Sequence, residues 1–285
     1  MKTKDIFATK KFVMSAEVFP PKKSGTIEGV VRALRDIQKA NPDFVSITYG
    51  AGGSGAETTA DVASIAIDAF GLNTVAHMTA VNMTRTKLIE QLEILDRKGI
   101  DNILVLRGDI AENSKFIDFH HANELAQFVK AVAPSFNLIG ACYPEKHPES
   151  KTIEEDIDNL KLKVDSGVSH LITQMFFDNN KFYDFVDKAL AKGITVPIDA
   201  GIMPIVNSNQ VPKMVYLSNA QIPSKLTKMI DDNINSPDFY NLGMDYACEQ
   251  IDDLIKHGCR GVHIYTMNRG DIALKIFDRF REERG

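Results

Sequence analysis

Eight short apolar runs recur along the chain, at 12–19, 43–49, 73–81, 102–107, 137–143, 170–177, 197–203 and 261–266. Most lack a clean alternation of apolar and polar positions, as expected of parallel strands buried on both faces. The stretches between them carry helix punctuation. Ser54 and Glu57 stand at capping-box spacing, as do Thr152 and Glu155. One phrase, a helix closing at glycine just before the next strand, comes back at Arg97-Lys98-Gly99, Asp165-Ser166-Gly167, Ala191-Lys192-Gly193 and Lys256-His257-Gly258. Strict strand–helix alternation predicts an α/β fold with a parallel sheet. Eight units favour a closed (β/α)8 TIM barrel over its rival, a doubly wound open sheet. No strand leads into a GxGxxG turn, and Gly50-Ala51-Gly52-Gly53 lacks that spacing. A helical insert of more than one helix is expected between strands seven and eight, at about 207–259, with Pro223 and Pro237 as breakers. No linker or low-complexity segment appears, so residues 1–285 are expected to form a single catalytic barrel domain.

Composition narrows the function classes. The 285 residues suit one such barrel, and 44% hydrophobic content can fill its core. A formal net charge of -5, with both signs interspersed, argues against nucleic acid as a partner. It leaves room for one local basic pocket for a small phosphate. Cys142, Cys248 and Cys259 form no CxxC pair and no even disulfide set, which favours a reducing compartment. The opening MKTKDIFATKKF has no apolar signal core, and no apolar run approaches membrane-spanning length. A cytoplasmic protein with no membrane contact is expected.

In a (β/α)8 barrel the C-terminal strand ends converge on one mouth. Here those ends are polar: Glu17; Thr48; His77 and Thr79; Arg107-Gly108-Asp109; Tyr143, Glu145 and His147; Thr173 and Gln174; Tyr265 and Asn268. Glu17 lies inside an apolar strand. It is either a structural ion pair with Arg107 or a lysine, or a desolvated carboxyl able to donate a proton near neutrality. His77 alone reads as a satisfied core histidine. Arg107-Gly108-Asp109 is either a turn with a surface ion pair or part of a site. The Gln174 amide needs partners, which a ligand or a backbone carbonyl would supply. Tyr143 and Tyr265 suit rim packing as well as a site. Lys161 and Lys163 read as solvated helix residues, and His120-His121 as a loop feature. No HxH or HExxH occurs, which argues against a metal. None of the strand cores holds a lysine, which counts against a Schiff-base lyase.

At these strand ends the sequence resembles the methylenetetrahydrofolate reductase family, over nearly the whole chain and in order. The carrying pieces are Glu17-Val18-Phe19-Pro20-Pro21, the run 43–51, Ala76-His77-Met78-Thr79, and Leu106-Arg107-Gly108-Asp109. Then come 141–148, 173–178, Gly201-Ile202-Met203-Pro204 and Tyr265-Thr266-Met267-Asn268-Arg269. The length is similar to the bacterial form, a catalytic barrel without a regulatory domain. The resemblance implies a bound FAD and a ping-pong reduction of 5,10-methylenetetrahydrofolate to 5-methyltetrahydrofolate, with hydride passing through flavin N5. It implies that Thr48, His77, Arg107, Asp109, Ala141 and Tyr143 line the isoalloxazine and ribityl part. His147, Asp156 and Lys163 would hold the ribose and diphosphate, Gln174 and Tyr265 the folate, and Glu17 would be the general acid. A homo-oligomer with NADH or NADPH as donor is implied as well. Ser208 stands about where the family often has a phenylalanine that stacks on substrate, and His121 where a tyrosine often covers the flavin. These departures bear on the donor. A flavin-binding subunit fed by a partner protein therefore stays open beside direct use of a nicotinamide nucleotide.

Overall fold

The computed structural model describes residues 1–21, 25–49, 56–110, 114–212, 214 and 220–284. Eight parallel strands close into a barrel in chain order. They are β1 (Val13–Val18), β2 (Phe44–Ile47), β3 (Thr74–Thr79), β4 (Asn102–Leu106), β5 (Asn137–Cys142), β6 (Val168–Thr173), β7 (Ile198–Ile202) and β8 (Gly261–Tyr265). Closure is made by β8 pairing with β1, in a register that sets Val13 against Gly261 and Glu17 against Tyr265. The open-sheet rival is thereby excluded. Each strand is shorter than its apolar run. The ends of the runs, such as Gln174 to Phe177 after β6, lie beyond the strands.

The outer ring contains α2 (Ile27–Lys39), α3 (Ala56–Phe70), α4 (Arg85–Arg97), α5 (Ala122–Val132), α6 (Ile153–Asp165) and α7 (Asn179–Ala191). Gly99, Gly167, Gly193 and Gly258 all have positive φ, so the repeated glycine phrase is the left-handed stop that returns each helix to a strand. Thr152 Oγ1 accepts from Glu155 N at 3.2 Å and caps α6 as its spacing predicted. Ser54 and the glycines at 50–53 lie outside the described residues. In the insert, Pro223 caps α8 (Ser224–Asn233), and Pro237 stands just ahead of α9 (Phe239–Lys256). Each proline stands just before a helix. The insert has its own apolar cluster, with Phe177, Met203, Leu226, Ile230 and Phe239. After β8 comes α10 (Gly270–Arg279), followed by a 3-10 turn at 282–284.

The apolar pattern predicts no element before β1, yet α1 (Thr3–Thr9) sits there and plugs the barrel floor. Its Ile6 and Phe7 pack on Val13, Phe44, Val75, Leu104, Ile139 and Ile172, which point inward from their strands. Thr3 seals the floor. Its N–H donates to Asn102 Oδ1 at 2.9 Å, and its Oγ1 accepts from Asn137 Nδ2 at 2.7 Å. One layer up, His263 lies between Ser15 Oγ at 2.7 Å and Ser46 Oγ at 3.1 Å. Burial holds its pKa down to about 3, so a neutral ring donates to one serine and accepts from the other. Residues alternate in and out along each strand, so the next inward position on β1 is Glu17.

Candidate active site

Glu17 tops β1 with 7% of its surface exposed. Burial, with no compensating cation, pushes its carboxyl up to about 8. Its neighbour across the mouth is His77 on β3, whose Nε2 lies 4.0 Å from Glu17 Oε2. Burial holds His77 down to about 3. The ion-pair reading of Glu17 is corrected here: Arg107 spends both terminal nitrogens on Glu149, with Nη2 to Oε1 at 2.8 Å. Sequence reasoning missed Glu149. An arginine at a strand end needs a counter-charge, but nothing in the sequence says which of many carboxylates the barrel brings to it.

At the strand ends, Thr48 Oγ1, His77 Nε2 and Arg107 Nε are buried without a hydrogen-bond partner among the described residues, as are atoms deeper in the fold such as His170 Nε2 and both carboxylate oxygens of Asp199. Unpaired buried polar atoms are uncommon in folded proteins, and three near one mouth suit a ligand with mixed donors and acceptors. His77 is therefore not the satisfied core histidine of the bland reading. Tyr265, in register with Glu17, donates its hydroxyl to Thr173 O at 2.6 Å. Gly201 makes room for that ring, since a Cβ there would lie 2.3 Å from Thr173 O and 2.7 Å from Tyr265 Cε2. Gln174 takes its place through the backbone: its N–H donates to Cys142 O at 2.8 Å, and its Oε1 accepts from Met175 N at 2.9 Å.

Next to the mouth, a cleft of about 310 Å³ opens over β4, β5 and α6. That is the low end of the size range of small-molecule sites. It gathers Arg107, Ala141, Tyr143, His147, Asp156 and Lys163 from positions far apart in sequence. Gly108, at φ 90, lets the loop after β4 fold back onto β3, where a Cβ would meet Thr79 Cβ at 3.0 Å. Tyr143 and His147 stack edge-on at 4.8 Å. Asp156 accepts from His147 N at 3.2 Å and from Ser150 Oγ at 2.8 Å, so it shapes the loop that carries His147. Lys163 is not the solvated helix lysine its position suggested. Its Nζ turns inward to Ala141 O at 2.7 Å, and burial lowers its pKa. Lys161 does face outward, paired with Asp165 at 2.6 Å. Asp109 is exposed at the rim. His121 caps α5 and lines the cleft, whereas Ser208 begins a short 3-10 turn after β7. Glu145, noted only as a polar strand end, accepts from Gln221 N at 3.1 Å and ties the insert to the mouth.

The family model described as methylenetetrahydrofolate reductase matches residues 2–281. The chain belongs to the methylenetetrahydrofolate reductase family. The family's reaction is the reduction of methylenetetrahydrofolate. The Escherichia coli 5,10-methylenetetrahydrofolate reductase is 33% identical over 264 residues, covering 92% of this chain and 88% of the relative. Arabidopsis thaliana methylenetetrahydrofolate reductase (NADH) 1 is 32% identical over 293 residues, covering 96% of this chain but 49% of that protein. The match thus spans nearly all of the bacterial reductase and about half of the plant one. Among solved structures, an uncharacterised Clostridium thermocellum protein that binds 5-methyl-5,6,7,8-tetrahydrofolic acid superposes with TM-score 0.71 at 15% identity, over 99% of each chain. Oxaloacetate acetylhydrolase reaches TM-score 0.58 at 13% identity, over 99% of this chain and 84% of its own. These likenesses speak to the barrel alone, which hosts unrelated chemistries. No described helix is long and apolar enough to cross a membrane.

Proposed function

We propose that the chain reduces 5,10-methylenetetrahydrofolate to 5-methyltetrahydrofolate with FAD as its bound cofactor, NADH or NADPH as donor, and Glu17 as general acid. The observation that carries this reading is the Glu17 carboxyl, buried at the barrel mouth beside His77, where loss of water pushes its pKa up to about 8. A carboxyl in that state has a proton to give where an ordinary glutamate has none. When bound, FAD supplies the two-electron relay between nicotinamide and folate. Thr48, His77, Arg107, Asp109, Ala141 and Tyr143 would hold its ring and ribityl chain, and His147, Asp156 and Lys163 its ribose and diphosphate. The unpartnered Thr48 Oγ1, His77 Nε2 and Arg107 Nε support that fit, since the ligand offers both donors and acceptors.

Gln174 and Tyr265 would receive the folate. Glu17 delivers its proton, directly or through a water, to the ring nitrogen that leaves as the five-membered ring opens. The resulting iminium carbon is cationic and accepts hydride. The negative charge of Asp109 on the same rim favours that cation. Donor and folate use one place in turn, a ping-pong order. A second reading, in which a partner protein delivers the electrons, is supported by His121 at the cleft wall, where the family often has a tyrosine over the flavin. Acid release of flavin from the purified chain, followed by an NADH- and NADPH-driven folate assay, tests the proposal. Recovery of no flavin, or only FMN, overturns the cofactor. FAD that dithionite reduces but neither nucleotide does favours the partner protein.

A further inference from the structure

We propose that Asn268 is a positioning residue for Glu17, clamping the backbone as it leaves β1 and so setting where the carboxyl stands. The inference rests on the acid reading above. Asn268 Oδ1 accepts from Phe19 N at 2.8 Å, and its Nδ2 donates to Phe19 O at 2.9 Å. One side-chain amide thus pairs with both main-chain groups of Phe19, as a neighbouring strand would. It does so just past Glu17 and Tyr265, the last registered pair of the β1–β8 ladder. Thr266 adds a second tie, donating Oγ1 to Glu17 O at 2.7 Å. Phe19 is followed by Pro20 and Pro21, which have no N–H. Asn268 therefore holds the last main-chain donor before residue 22.

The clamp comes with backbone strain. Met267 and Asn268 have φ of 53° and 60°, two successive non-glycine residues in the left-handed region. A simple link from β8 to α10 would be served by glycine. Strained backbone held by specific hydrogen bonds beside a reacting group marks a functional constraint. Glu17 is protonated because it is shielded from water. If the end of β1 loosens, water reaches the carboxyl and the proton is lost at lower pH.

The test uses the full chain with its cofactor and compares Asn268→Gly, Glu17→Gln and the double variant. Glycine keeps the left-handed turn while removing the amide, so the fold is retained. Rapid mixing separates cofactor reduction from folate reduction. Infrared difference spectra of the same cofactor-loaded chain against Glu17→Gln follow the protonated carboxyl band that this substitution removes. Asn268→Gly should slow folate reduction on the order of ten- to a hundredfold, the scale of a misplaced catalytic group. It should leave cofactor reduction alone and move the carboxyl titration to lower pH. The double variant should be no slower than Glu17→Gln, because both changes act through one group. Asn268→Gly with wild-type folate rates and titration, while Glu17→Gln is slow, overturns the clamp alone. Multiplying losses in the double variant overturn its action through Glu17. Wild-type rates in Glu17→Gln overturn the acid reading, and this inference with it.

Discussion

Glu17 Oε2 stands 4.0 Å from His77 Nε2, and the two groups face each other uncharged at neutral pH. Burial drives them in opposite directions, the carboxyl up to about 8 and the imidazole down to about 3. The distance alone suggests an ion pair. Moving the proton from acid to imidazole would leave two charges in an apolar barrel, which costs more than their attraction returns at this separation. The gap is too long for a direct hydrogen bond, and His77 Nε2 is closed off from solvent, so each group stays neutral on its own account.

Folate reduction should fall as pH rises through about 8, where Glu17 loses its proton. Cofactor reduction needs no ring-opening acid and should lack that limb. Glu17→Gln should slow the folate half-reaction on the order of a hundred- to ten-thousandfold and abolish the limb. Stopped-flow measurement of both half-reactions across pH decides it. Equal slowing of both would make Glu17 structural.

Stability carries the same signature with a definite sign. Between 4.5 and about 8 the folded chain keeps a proton on Glu17 that the unfolded chain has lost, so Glu17 makes stability fall as pH rises through that window. Buried His77, His170 and His263, each held down to about 3 from 6.5, make stability rise with pH from about 3 to 6.5. Glu17→Gln should therefore stabilise the chain by roughly 3 kcal/mol at pH 7, from about 1.4 kcal/mol per pH unit. Urea titrations of both proteins at several pH values read the difference. A gain that does not grow with pH up to 8 contradicts the protonated carboxyl.

Asp109→Asn removes a negative charge at the rim without disturbing a buried contact, since Asp109 is exposed. The flavin midpoint potential should rise, and folate reduction should slow more than cofactor reduction. Spectroelectrochemical titration checks this; an unchanged potential places Asp109 away from the ring.

Lys163→Met deletes the amine that meets Ala141 O at 2.7 Å but keeps the length of the stem. Loss of a phosphate contact should weaken FAD binding about tenfold, with thermal stability lowered by about 1 kcal/mol for the lost hydrogen bond. Titrating the cofactor-free chain with FAD separates the roles. Reduced stability with undiminished FAD affinity would make Lys163 a strand-end brace.

Gly201→Ala puts a methyl 2.3 Å from Thr173 O and 2.7 Å from Tyr265 Cε2. The nearer clash is with backbone, so β6 and β7 must part as well as Tyr265 shift, at a cost of about 3 kcal/mol or more. Folate KM should rise while FAD content holds. Tyr265→Phe, which loses only the bond to Thr173 O, should cost about 1 kcal/mol, as chemical denaturation would show.

Apolar periodicity and glycine-terminated helices were enough to read the barrel, because both are local: a strand buried on two faces and a left-handed stop each declare themselves within a few residues. Chain order also placed Glu17, His77, Arg107, Tyr265 and their companions at strand ends, and a parallel barrel sends all such ends to one side. Partner choice stayed hidden. Arg107 meets Glu149 across 42 residues, Asn268 grips Phe19 across 249, and Lys163 bends from a helix face to Ala141. The plug at the barrel floor was hidden too, since seven residues at α1 are too few to show a periodicity. Burial is the deepest of these properties: the sequence names a glutamate in an apolar strand, but only closure of the barrel around it removes the water and leaves its proton in place.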